Sequence, residues 1–281
     1  MTWRPITATD MSNEQERRVA SEQRIEPYYF ALGEGRYRST IHAQGAWNEH
    51  EQHMAPVSGI LAHCLQRYQP QDGFRIARLS YEILGLIPDG EFEVVTTMLR
   101  PGRTIELVQA ELVAGGRTAV RARAWRLQTS DTSAVAGVED APMAGPSHAS
   151  GPISLPEWPG GYIQSVEIRA VAGHRSGRGK AWIRTQHPLV GGVPSADFVR
   201  LIGLIDTSNG IATRVRPGAN SYFFPNLDLQ VHLYREPTGE WLGLENSVSF
   251  GADGIGLTST VLHDLTGPFG RAEQILTLRK A

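Results

Sequence analysis

Four polar side chains in the second half of this 281-residue chain stand where chemistry is possible: Asp206, Asn226, Asp228 and Gln274. A carboxylate can take up a proton, and carboxamides can hold a water or a carbonyl in place. Asp206 follows the apolar run FVRLIGLI (198–205) and precedes Thr207-Ser208-Asn209-Gly210. It is either turned inward as a proton acceptor or a helix-end residue with Asn209-Gly210 as the cap. The other three fall in strand-like runs at positions that are apolar in the first half. At an offset of 149, Asn226 and Asp228 align with Ala77 and Leu79; after a loop correction of about five residues, Gln274 aligns with Val120. Burying a polar group costs roughly 1–3 kcal/mol unless it finds a partner. These side chains therefore face solvent, make turn contacts at the start of a strand, or converge on one cleft.

The elements that must carry them follow a repeated plan. Strand-like GRYRSTIHAQGAW (35–47) leads to a helical stretch, Pro56 to Tyr68, whose Val57, Ile60, Leu61, Cys64 and Leu65 recur at helical spacing. Strand-like runs at 74–87, 91–100, 104–114 and 118–127 follow, separated by PDG, PGR and GGR turns. The second half has strand-like 162–172 and 180–190, a helical stretch from Ser195 to about Ser208, then runs at 227–235, 240–250, 256–265 and 271–279. Pro88-Asp89-Gly90-Glu91-Phe92 matches Pro237-Thr238-Gly239-Glu240-Trp241, which reads as a duplication. Long alternating strands with tight turns predict antiparallel sheet, and one long helix per sheet predicts an α+β fold. The expected divisions are a polar arm (1–24), a first repeat (25–128), a flexible linker rich in Ser, Ala, Gly and Pro (129–159) and a second repeat (160–281).

Composition excludes several classes. The chain is 41% hydrophobic with a net charge of −2, so it lacks the basic stripe that nucleic acid requires. No run approaches the ~18 apolar residues of a membrane span, and the N-terminus has no apolar signal core. Cys64, the single cysteine, points to a reducing, cytoplasmic setting. His50 and His53 flank Glu51-Gln52 without a third ligand, so no metal is expected. The Gly173–Lys180 run lacks the GxxxxGK[ST] spacing of a phosphate loop. Ser58 has no base nearby in sequence, and Trp47, Trp125, Trp182 and Trp241 read as strand packing.

The second half, IDTSNGIATRV with FFPNLDLQVHLYREPTGEWLGLENSVSF and the closing GRAEQILTLR, resembles the acyl-CoA thioesterase II family. AWNEHEQH and LSYEILGLIP resemble that family's first repeat, and the likeness spans about residues 25–280. The resemblance implies a double hotdog, two repeats each wrapping an antiparallel sheet around a long central helix. It implies hydrolysis of an acyl-CoA to free acid and CoA, with no metal, cofactor or covalent intermediate, in a homodimer or larger homo-oligomer. The family's water-holding aspartate, threonine and glutamine carry over to Asp206, Asn226 and Gln274, with asparagine in place of threonine. His53 is followed by Met54-Ala55 where the related branch often has two glycines. Asp206 would serve as general base while the two amides fix the water. The amino end of the first central helix, around Val57, Ser58 and Gly59, would offer backbone N–H groups to the carbonyl oxygen.

Two other functions compete with this reading. One is a non-catalytic acyl or acyl-CoA binding hotdog protein. The other, a hydratase acting on an enoyl-CoA, needs an aspartate–histidine pair at suitable spacing, and the sequence offers none.

Overall fold

The computed structural model describes residues 25–153, 158–217 and 221–281, so the expected arm at 1–24 lies outside the described residues. In chain order the strands and helices are β1 (Tyr29–Gly33), β2 (Arg36–Ser39), α1 (Met54–Arg67), β3 (Phe74–Ile83), β4 (Glu91–Arg100), β5 (Ile105–Ala114) and β6 (Arg117–Gln128). They continue with α2 (Gly161–Gln164), β7 (Val166–Ala170), β8 (Arg178–Thr185), α3 (Asp197–Ile202), α4 (Ser208–Ile211) and β9 (Tyr222–Phe223). The chain closes with β10 (Asp228–Leu233), β11 (Leu242–Phe250), β12 (Ile255–Asp264), β13 (Gly267–Thr277) and β14 (Arg279–Lys280).

Twelve strands form one antiparallel sheet in the order β1-β2-β4-β5-β6-β3-β10-β13-β12-β11-β8-β7. The second six mirror the first six, and β3 and β10 join the halves with Ser80 opposite Gln230. The bounds of β5 recur in β12 150 residues later, and the starts of β6 and β13 share that spacing. No five-residue insertion separates the repeats. Burial agrees, since Leu79 and Tyr81 face inward as Leu229 and Val231 do. The offset is therefore 150 throughout: Asn226 corresponds to Ile76 and Asp228 to Arg78, one residue from the expected partners and no longer apolar for Asp228, while Gln274 corresponds to Ala124 rather than Val120, a shift of four.

The sheet curls around the helices in the double-hotdog arrangement. α1 is buried on nearly every side, as befits a helix between a sheet and a second helix. It crosses α3 so closely that a Cβ on Gly59 would lie 3.0 Å from the Gly203 Cα. His53 caps it by accepting the Ala55 N–H at Nδ1, 3.0 Å away.

Several expectations are corrected. The run 35–47 is a strand only over Arg36–Ser39, because the Thr40 hydroxyl accepts the His42 N–H and starts a tight helical turn at Ile41–Ala43. Trp47 accordingly lies in a loop. β1, absent from the sequence reading, pairs with β2 through the Gly33-Glu34-Gly35 turn, all three with positive φ. Residues 162–164 are helical rather than extended. The second helix is broken into α3, a tight turn at Ile205–Thr207 and α4, with Gly203 at the break. The connector is not free where it is described. Its Ala144 carbonyl accepts the Trp182 indole N–H at 2.7 Å, Ser150 and Ile153 bond to Ala170 and Ile168, and Met143 and Trp158 are buried.

Candidate active site

The break in the second helix is what turns Asp206 inward. Its side chain is buried, and two amides from separate strands meet its Oδ1: Asn226 Nδ2 at 2.8 Å and Gln274 Nε2 at 2.8 Å. The three residues are thus together, and Asn209-Gly210 lies within α4 rather than capping it. Ser208 Oγ donates to Gln274 Oε1 at 2.6 Å, which leaves the amide nitrogen aimed at Asp206. Asn246 Nδ2 in turn donates to the Ser208 carbonyl. Asn226 also donates to the Asp228 carbonyl at 3.0 Å, while Asp228 Oδ1 accepts the Ile275 N–H at 2.8 Å. Asp228 thus braces the start of β10 and makes no direct contact with the Asp206 carboxylate.

Asp206 Oδ2 accepts no hydrogen bond among the described residues and faces His53 Nδ1 at 3.6 Å. Desolvation lifts the Asp206 carboxyl to about 6, against the downward pull of the two amides. Desolvation holds the His53 imidazole down at about 3, so it is neutral and the contact is not an ion pair. Because Nδ1 accepts the Ala55 N–H, the ring proton sits on Nε2. The ring lies 4.2 Å from that of Tyr162, whose hydroxyl bonds Thr207 Oγ1 at 2.6 Å. The sequence reading, which found no aspartate–histidine pair, is corrected here. The partners are 153 positions apart in the chain, and only the packing of α1 against α3 brings them together.

Asp206, His53, Met54 and Asn226 line a cleft of about 520 Å³, walled by Leu86 and Phe223, with Arg279 also in its lining. Val57, Ser58 and Gly59 do not line it. Val57 is fully buried with its N–H bonded to the His53 carbonyl, Ser58 Oγ bonds the Ala55 and Ile202 carbonyls, and Gly59 packs on Gly203. α1 begins earlier than the sequence suggested, at Met54, so its amino end is displaced toward His53. Within its first turn the Ala55 N–H is taken by His53 and Pro56 has none. Met54 lines the cleft, and no hydrogen bond from its N–H is found among the described residues.

His53 and Ser208 are the residues that sequence reasoning missed. Ser208 carried a signal, lying two positions past the aspartate; His53 carried none, because the sequence reading starts the helix at Pro56.

A model of the acyl-CoA thioesterase N-terminal domain matches residues 43–127, and one of the C-terminal domain matches residues 135–278. No curated protein matches the sequence. Among solved structures, a conserved hot dog protein of unknown function from Alicyclobacillus acidocaldarius superposes with a TM-score of 0.71 at 11% identity, covering 89% of this chain and 96% of its own. The acyl-CoA thioesterase II TesB2 from Mycobacterium marinum superposes with a TM-score of 0.65 at 17% identity, covering 90% and 95%. At such identities the likeness establishes the fold. No helix among the described residues is long and apolar enough to cross a membrane.

Proposed function

Because the chain belongs to the acyl-CoA thioesterase family, we propose that it hydrolyses an acyl-CoA to the free acid and CoA through a water activated by Asp206. The observation that carries this reading is a buried carboxylate with one oxygen pinned by two amides and the other open to a cleft. A water at Oδ2 passes a proton to Asp206 as its oxygen attacks the thioester carbon. The C–S bond then breaks, and the thiolate of CoA takes up a proton. A base whose pKa lies near 6 is ionised at neutral pH yet still basic enough to accept that proton. Gln274 and Asn226 hold the carboxylate in one orientation, which keeps the water in line for attack. The Met54 N–H is the donor we assign to the developing oxyanion, in place of Val57, Ser58 and Gly59. A cytoplasmic setting and a homo-oligomer complete the proposal.

The His53–Asp206 contact raises the hydratase as a second reading. It is disfavoured because an imidazole carrying its proton on Nε2 can donate there but not accept. Thiol release from a panel of acyl-CoAs, with loss of enoyl absorbance on crotonyl-CoA as a parallel readout, tests both. We expect thiol release that disappears in Asp206→Asn and no hydration. Tight binding without turnover would favour a binding protein, and hydration would favour the second reading.

A further inference from the structure

Asp206, His53 and Asn226 stand at the junction of two spaces. One is the open cleft of about 520 Å³; the other is a pocket of about 40 Å³ whose walls add Trp158, Ile163 and Gly210, with Thr207 and Asn209, to Trp47, which borders both. The two indoles meet edge to face with ring centroids 5.0 Å apart, and each also stands edge-on to Phe224 at 5.8 Å. These contacts pack the buried Trp158 ring on several sides, so it cannot retreat without losing them, while Trp47 is 38% exposed. Gly210 lines the same pocket beside Trp158, where an added Cβ would sit 3.6 Å from the indole, in ordinary contact.

We propose that the small pocket receives the acyl group while the open cleft takes the CoA arm, which makes the substrate a short-chain acyl-CoA. One water-sized group needs roughly 10–15 Å³, so the pocket holds about three heavy atoms, an acyl chain of about two to four carbons. The cleft suits the longer arm of the substrate, being more than ten times larger and carrying the Arg279 cation for a CoA phosphate. Trp158, from the segment between the repeats, and Trp47, from the loop before α1, are then the residues that set chain length. Catalysis in this scheme rests on the hydrolase reading of Asp206; the size of the pocket does not.

The test measures chain-length dependence in two ways on saturated acyl-CoAs from acetyl to palmitoyl. One is kcat/KM for the wild type, Trp158→Ala and Gly210→Ala; the other is Kd for Asp206→Asn, in which the CoA contribution is constant across the series. We expect wild-type kcat/KM to fall at least about tenfold between butyryl and octanoyl, since one misfitting methylene is worth about 10–200-fold. Trp158→Ala brings octanoyl to within about threefold of butyryl, whereas Gly210→Ala narrows the preference toward acetyl. Gly210→Ala adds a methyl without removing packing, so the proposal remains testable if Trp158→Ala does not fold. Rates and affinities that both rise toward palmitoyl, or a profile unmoved by either substitution, overturn the proposal and leave hydrolysis intact. A short-chain binding preference without turnover supports the pocket and removes the hydrolase.

Discussion

The two halves share a strand plan at a spacing of 150 residues, yet their interiors differ in kind. Where the second half places Gln274 and Thr258 inside, the first places Ala124 and Val108; Asn226 corresponds to Ile76. At the equivalent end of α1 the first half is closed by a buried ion pair, Arg126 with Glu106 at 2.5 Å, and Gln71 completes the carboxylate's bonding. Arg126 also donates to the Tyr68 carbonyl just past α1 at 2.7 Å. The pocket beside Ile76 and Arg126 is about 80 Å³, against about 520 Å³ beside Asp206. One end of the molecule is sealed and the other kept open around a desolvated carboxylate. The same backbone plan can thus serve as scaffold or as site, according to which inward positions are polar.

The largest effect is expected on the sealed side. Arg126→Met leaves Glu106 buried without its cation and should cost about 3–5 kcal/mol in denaturant unfolding, with kcat/KM changed less than twofold. A comparable loss of activity would show that the sealed end of the first half does more than support the fold.

Next comes the cost of keeping Asp206 charged. Its folded pKa of about 6 lies above its ordinary 3.8, so the native state holds a proton that the unfolded chain has released between these values. Stability from this group is therefore lost as pH rises through that window, by about 3 kcal/mol in full. Asp206→Asn removes the penalty, and its stability relative to wild type should climb between pH 4 and pH 7. A flat difference across that range would mean the carboxyl is not raised.

Removing the amide comes third. Gln274→Leu makes the position apolar like its counterpart Ala124 and should lower kcat about a hundredfold, or ~2.7 kcal/mol, with KM little changed. The smallest effect is expected from Asn226→Thr, whose hydroxyl can still donate to Asp206. A change in kcat below about tenfold is predicted, whereas Asn226→Ile, which copies Ile76, should be worse.

The duplication and most of the long strands were legible in the sequence because alternation and turn residues are local. Asn226 and Gln274 were legible through the same repeat, and Asp206 through its place after an apolar run, all three with a family resemblance, even though the alignment slipped by one residue at β10 and by four at β13. The break in the second helix was not, because it depends on how closely Gly203 approaches Gly59 across the crossing. His53 was hidden for a similar reason, its role depending on a contact between halves. The connector was misjudged on composition, since a few well-placed groups, Ala144 against Trp182 and the buried Trp158, tie down a stretch that looks featureless.

The central claim is that Asp206 removes a proton from the attacking water, and the pH profile of kcat/KM tests it most directly. The wild type should gain activity tenfold per pH unit below an inflection near 6 and level off above it. Asp206→Asn should lie about 10²–10⁴-fold lower with that inflection gone. An Asp206→Asn enzyme that keeps wild-type rates, or one that keeps the inflection near 6, would contradict the account.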